Sequence, residues 1–268
     1  MRRLSASLDH FHEHGWMRLP GAFSAEAAAA MREVVWQGLA TTGIDAGDPA
    51  TWTIERPGHL QKLRSHRAFR AVGSPIVLQA IAAIMERHPC PAPRDWGSLF
   101  IAFPTTRPWS IPVSGWHIDA KYTSPLRPIG GVKTFALLGD VAPRGGGTLA
   151  ISGSHRLVHR WFGENPPPAS ARSADMRKLL MAHPYMRDLH AAGDAHERSA
   201  RFMAEHELGI GVTLQVVELT GTAGDVFLLH PLTIHAAAPN AGSAPRFMLS
   251  GGVTTDMWGW DRPRGAMV

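Results

Sequence analysis

Apolar and polar positions along this chain follow two different periods, and the place where one gives way to the other divides the sequence. Residues 5–14 carry apolar side chains at helical spacing, whereas Trp16-Met17-Arg18-Leu19 alternates as a short strand halted by Pro20-Gly21. Ser24, with Glu26 close behind it, predicts a capped helix running through Leu39. Helical spacing returns from Pro75 to Arg87. From about residue 97 the pattern changes to short strands punctuated by Gly and Pro, at 99–103, 132–138, 148–151, 213–219, 225–229 and 246–251. Residues 157–212 interrupt them, with a loop at Pro166-Pro167-Pro168 and polar amphipathic helices at Ser173–Met181 and Asp194–Glu205. A helical start followed by many short strands predicts a mainly β fold, a barrel or sandwich with flanking helices. The whole of 1–268 reads as a single domain. It comprises a mainly helical part at 1–96, a β core from 97–156 and 213–256, and a helical insert at 157–212.

Composition narrows the class. A hydrophobic share of 44% with 18% charged residues is that of a folded globular domain, not a disordered chain. Apolar runs such as Ile76 to Met85 reach about half a membrane span. The basic start, Met1 to Ser5, runs into Asp9, His10 and His12, where a signal peptide needs an apolar stretch. The expectation is a cytoplasmic protein with no membrane partner. The lone Cys90 excludes an internal disulfide and any multi-cysteine zinc or iron–sulfur site. Lys+Arg 27 against Asp+Glu 22 gives a net charge of +5. The arginines are scattered and the lysines are only Lys62, Lys121, Lys133 and Lys178, so no nucleic-acid partner is expected.

The candidate chemistry begins at His117-Ile118-Asp119, because alternate residues on a strand point to one side and can share a metal. With 15 histidines in the chain, a His-x-Asp match carries little weight alone. A second stretch adds to it: Gly224-Asp225 opens a buried strand that leads through His230-Pro231 to His235. Eleven residues later Arg246 opens another apolar strand, and its planar fork suits a bidentate grip on a carboxylate. Two strands paired across this short loop are expected to put His235 and Arg246 on one inner face. Two histidines and a carboxylate on one face of a metal are a common way to hold iron that activates dioxygen.

In that order, together with Phe11 to Gly21 and the glycine-rich Gly145 to His155, these stations resemble the phytanoyl-CoA dioxygenase family of iron(II)/2-oxoglutarate oxygenases. The resemblance implies a double-stranded β-helix core (jelly-roll, cupin-like) with N-terminal helices. It implies that His117, Asp119 and His235 hold Fe(II), that Arg246 binds the distal carboxylate of 2-oxoglutarate, and that dioxygen is the second co-substrate. Phe135 falls where members of the family carry a tryptophan against the co-substrate, and Trp116, Lys121 and Tyr122 flank the metal motif as candidates to line a substrate pocket. Ile118 and Ala237 depart from the glutamine and serine found at those places, which removes polar contacts near 2-oxoglutarate. His230 competes with His235 as third ligand, but the spacing to Arg246 fits His235. Lys133 is the next candidate if Arg246 is not the anchor. Ser154-His155-Arg156 reads as a turn bracing the barrel and Asp225 as a turn-shaping residue, while Gly145-Gly146-Gly147 lacks the Lys-Ser or Lys-Thr of a phosphate loop.

The implied reaction is hydroxylation of an unactivated C–H bond in a small-molecule metabolite, with release of succinate and carbon dioxide. Asp119 argues against a halogenase, in which a small residue vacates that ligand position. A demethylase of nucleotides or nucleic acid needs a further arginine where Gly251 and Gly252 stand. A β-helix protein that binds without turnover is the remaining reading, and oligomeric state is not encoded in any motif. The 157–212 insert, entered through prolines and left through Gly209 and Gly211, is expected to act as a lid.

Overall fold

The computed structural model describes residues 2–254 apart from 59, 87–91, 121–123, 125, 169, 171, 172 and 210. Cys90, Lys121 and Tyr122 therefore lie outside the described residues. The N-terminal part contains α1 (Arg2–His14), β1 (Trp16–Leu19), α2 (Ala25–Ala40) and α3 (Pro75–Ile84), with 3-10 turns at Pro49–Thr51, Gln61–Ser65 and Arg67–Gly73. Ser24 caps α2 by accepting a hydrogen bond from the Ala27 N–H at 3.2 Å. Ala28, Met31, Val35 and Leu39 then fall on the one buried stripe of α2.

Strands follow in two antiparallel sheets. β2 (Ser98–Ala102), β3 (Gly131–Leu137), β7 (Val226–Leu229) and β9 (Arg246–Thr254) join β1 in the order β1-β7-β3-β9-β2. β4 (Thr148–Ser152), β5 (His206–Glu207), β6 (Thr213–Glu218) and β8 (His235–Ala237) form the other sheet, in the order β5-β6-β4-β8. Phe135, Leu137, Phe227, Leu229 and Met248 from the first sheet meet Ala150 and Leu219 from the second in a core between the sheets. The opposite face of the five-stranded sheet packs on α2, α3 and the 3-10 turns through Val132, Leu228, Phe247 and Leu249. The opposite face of the four-stranded sheet, through Leu149, Ile151, Leu214 and Val216, is covered by helices of the insert. The strands β3, β4 and β7 are thus buried on both faces, which is why β7 reads as a continuous apolar run and β4 nearly so. The result is the helix-flanked sandwich that the strand pattern predicts, in the jelly-roll form that the resemblance implies.

Asp225 shapes the turn that opens β7, as expected. Fully buried, it takes two hydrogen bonds from Arg18 at 3.0 and 2.6 Å and one each from the Gly21 and Thr222 N–H groups at 2.8 Å. Among the described residues no single helix is long and apolar enough to cross a membrane. The bent pair Arg67–Gly73 and Pro75–Ile84 matches that length only in combination, and Phe69, Val72, Val77 and Ile81 place it in the core.

Three expectations need correction. Ser154-His155-Arg156 is the first turn of a helix, α4 (Ser154–Glu164), so the helical region begins at the end of β4. The helix can start there because Gly153 adopts φ +79°, and a Cβ at that position would meet the Thr213 carbonyl at 2.2 Å. The insert also contains α6 (Pro184–His190) between α5 (Ser173–Met181) and α7 (Ala195–Met203). Lastly, β8 and β9 are not paired with each other. The Pro239–Pro245 connection carries the chain from one sheet to the other, so His235 and Arg246 reach the inter-sheet space from opposite walls.

Candidate metal centre and cleft

The histidines come together through the backbone. His117 donates its N–H to the His235 carbonyl at 3.0 Å, and His235 returns the bond to His117 at 2.9 Å, an isolated antiparallel bridge at the end of β8. Their rings lie 4.3 Å apart between centroids. Each Nδ1 rests against a carbonyl oxygen, Gly115 at 2.8 Å and Thr233 at 3.0 Å. A carbonyl only accepts, so each Nδ1 carries the proton and each Nε2 presents a lone pair. Asp119 faces both, with Oδ1 3.9 Å from His117 Nε2 and Oδ2 3.5 Å from His235 Nε2. One donor atom from each residue lies within 4.8 Å of the others. Among the described residues no other cluster of His, Cys, Asp or Glu donors gathers in this way.

The electrostatics suit a cation. Desolvation and the neighbouring His235 push His117 down to about 4, so its imidazole is neutral near pH 7 and free to act as a ligand. Burial opposes ionisation of Asp119. The neighbouring His235 and the charge of Lys133 outweigh it and hold the carboxyl well below the usual carboxylate range. A set of two imidazoles and one carboxylate is a fitting donor set for non-haem iron(II).

Arg246, the first residue of β9, is 3% exposed, and its Nε has no hydrogen-bond partner among the described residues. Its Nη1 meets the Met248 sulfur at 3.7 Å. Burial, then the nearby charge of Arg56, pushes Arg246 down to about 10, with Glu218 acting in the opposite sense. A buried guanidinium without a carboxylate partner is costly, and a dicarboxylate ligand would satisfy it. Phe135 stands beside the centre, its ring 5.5 Å from that of His235 in an edge-on arrangement.

An open cleft of about 830 Å³ reaches His117 from outside. Arg56, Ile111, Val113, Arg198 and Ala237 are among the residues lining it. Ala237, where a polar contact is missing, is thus part of the cleft wall. Trp116 is not. Strand alternation turns it and Ile118 away from His117 and Asp119, and Trp116 is buried among the insert helices with its indole N–H donated to the Pro112 carbonyl at 2.8 Å. His230 is also remote from the centre. It accepts from the Leu232 N–H at 3.1 Å and packs at a tilt against His155, whose Nε2 meets the His12 carbonyl at 3.0 Å. Glu218 was not signalled by any motif. Its carboxylate accepts from the Arg144 and Gly147 N–H groups at 2.7 and 3.0 Å, which explains the glycine-rich turn as a structural brace. The cleft arginines were equally hidden, since they come from separate segments of the chain.

A family model described as phytanoyl-CoA dioxygenase (PhyH) matches residues 11–248. No curated protein matches the sequence. Among solved structures, AviO1 from Streptomyces viridochromogenes Tue57 is similar at 17% identity and a TM-score of 0.53, covering 94% of this chain and 95% of that one. The epimerase SnoN in complex with Fe3+, alpha ketoglutarate and nogalamycin RO is similar at 15% identity and a TM-score of 0.54, covering 97% and 86%. At such identities these likenesses establish the fold.

Proposed function

The chain belongs to the phytanoyl-CoA dioxygenase family, whose chemistry is that of iron(II)/2-oxoglutarate-dependent oxygenases, and from that premise we propose that it hydroxylates an unactivated C–H bond of a small-molecule metabolite. The observation that carries this reading is the convergence of His117, Asp119 and His235 opposite a buried Arg246 that has no carboxylate partner among the described residues. In this reading His117 and His235 bind iron through Nε2, Asp119 completes the set, and Arg246 takes the distal carboxylate of 2-oxoglutarate. Iron and 2-oxoglutarate supply the oxidising chemistry, with dioxygen consumed and succinate and carbon dioxide released.

The work of the chain itself is placement and exclusion. The Gly115 and Thr233 carbonyls fix both imidazoles in the ligating tautomer. Phe135 and the apolar inter-sheet core exclude water from one side of the centre. The cleft at His117 admits substrate from the other side, and its volume suits a small molecule. SnoN, an epimerase of the same fold, is described in complex with nogalamycin RO, which also favours a small organic substrate here. It equally makes inversion at carbon a second reading, because removal of the same hydrogen can end without oxygen insertion.

The test is to screen metabolites for stimulation of succinate release in iron- and 2-oxoglutarate-loaded protein, then to weigh the product. A gain of one oxygen atom supports hydroxylation, and an isomer of unchanged mass supports the epimerase reading. Succinate release that no small molecule stimulates, with stimulation by single-stranded nucleic acid instead, would overturn both.

A further inference from the structure

Lys133 stands where a charge is least expected. It occupies the inward face of β3, the central strand of the five-stranded sheet, on the side that carries Phe135 and Leu137 into the apolar core between the sheets. Its register partners are Leu229 on β7 and Gly252 on β9. The side chain is only 15% exposed, and its Nζ lies 2.7 Å from Asp119 Oδ2 and 5.4 Å from the centroid of the Phe135 ring. A lysine buried in this way must be paired, and here its partner is the one carboxylate of the metal centre.

We propose that Lys133 is a positioning residue that occupies Asp119 Oδ2, so that the carboxylate offers the metal a single oxygen. This rests on the metal reading above. The consequence follows from counting positions. Two imidazoles and one carboxylate oxygen would leave a six-coordinate ion three further places, enough for a chelating co-substrate and dioxygen. A carboxylate bound through both oxygens would take one of those places, and dioxygen would have none. Oδ1, on the His117 side, is the oxygen that Lys133 leaves available. Gly252 across the strand adds no side chain to compete for this space, and the Phe135 ring below the ammonium restrains its stem.

The experiment uses Mn2+ as probe in the otherwise metal-free full chain, without 2-oxoglutarate, and counts bound waters from the broadening of the Mn2+ resonance in 17O-enriched water. Wild type is expected to hold three waters. Lys133→Met, which keeps the apolar stem and frees Oδ2, should hold two, and Lys133→Gln, whose amide can still donate to Oδ2, should return to three. Two waters in wild type would overturn the proposal without recourse to any variant. An unchanged count in a folded Lys133→Met protein would do the same. Failure of wild type to bind Mn2+ would instead strike at the metal centre itself and take the proposal with it, so the two failures are distinguishable.

Discussion

At the scale of single residues, the site was legible where chemistry and spacing coincide and hidden where it depends on folding at a distance. His117 and Asp119 announce themselves by alternation, and His235 by its interval from Arg246. Lys133 was visible only as a cation in an apolar strand, since nothing local ties it to Asp119. Trp116 misled because adjacency to a motif is not orientation, and alternation sends it to the opposite face. Arg246→Lys should raise the 2-oxoglutarate requirement about tenfold to a hundredfold, the loss of about 1.5–3 kcal/mol of charge-assisted hydrogen bonding, and Arg246→Ala should be worse. Titration of 2-oxoglutarate binding in the iron-loaded protein measures this, and an unchanged response would point to another anchor. A second residue-scale prediction concerns pH. Burial, then a smaller repulsion from Arg156, pushes His155 down to about 4, partly offset by its hydrogen bond to His12, and His230 is lowered in the same direction. A histidine with a depressed folded-state value binds its proton more readily when unfolded. Its stabilising contribution is therefore complete above about pH 6.5 and is lost as the pH falls towards 4. For His155 alone the loss approaches about 3 kcal/mol. Urea melts of wild type and His155→Gln between pH 7 and 4.5 should converge as the pH falls, and parallel curves would contradict this.

At the scale of elements, periodicity located α2, β1 and most of the β core, because each has one dominant buried face or two. What it missed is decided by backbone conformation or by tertiary pairing. α4 begins at Ser154 because a glycine in a left-handed conformation turns the chain out of β4, and β8 is a three-residue strand defined by its partner β4. The insert is the clearest case. Polar sequence at 157–212 suggested loose docking, yet Leu157, Val158, Phe162, Leu180, Met186 and Phe202 are buried against the four-stranded sheet. Arg198 secures it further, donating to the carbonyls of Ala191, Leu189 and Ile111. Burial favours a fixed layer for the body of the insert, and the part that borders the cleft is Gly193 to Arg198. Hydrogen exchange should show α4 equally protected with and without substrate, with any change confined to about residues 191–198. Substrate-dependent protection across all of α4 and α5 would instead support the lid. Gly153→Ala should cost about 1–3 kcal/mol, from the positive φ and the close Thr213 carbonyl, and a thermal melt unshifted from wild type would refute that account.

At the scale of the whole molecule, the candidate site lies between the two sheets of the jelly roll, with the cleft as the approach. The five-stranded wall brings Arg246, Lys133 and Phe135, and the other wall brings His235 with its backbone partner His117. Sequence order alone could not show this division, since His235 and Arg246 are eleven residues apart yet belong to different sheets. Asp225 links the N-terminal segment to the same wall through Arg18 and Gly21. Asp225→Ala should therefore lower the stability of the entire fold by about 3 kcal/mol, read as a lower urea midpoint, and an unaltered midpoint would count against that link. The central claim is that His235, together with His117 and Asp119, binds iron in a form that chelates 2-oxoglutarate. The most direct measurement is the visible charge-transfer absorption that appears when iron(II) and 2-oxoglutarate are added to the protein without air. Wild type and His230→Ala should develop the band, and His235→Ala should not; a band that survives in His235→Ala and vanishes in His230→Ala would contradict the account.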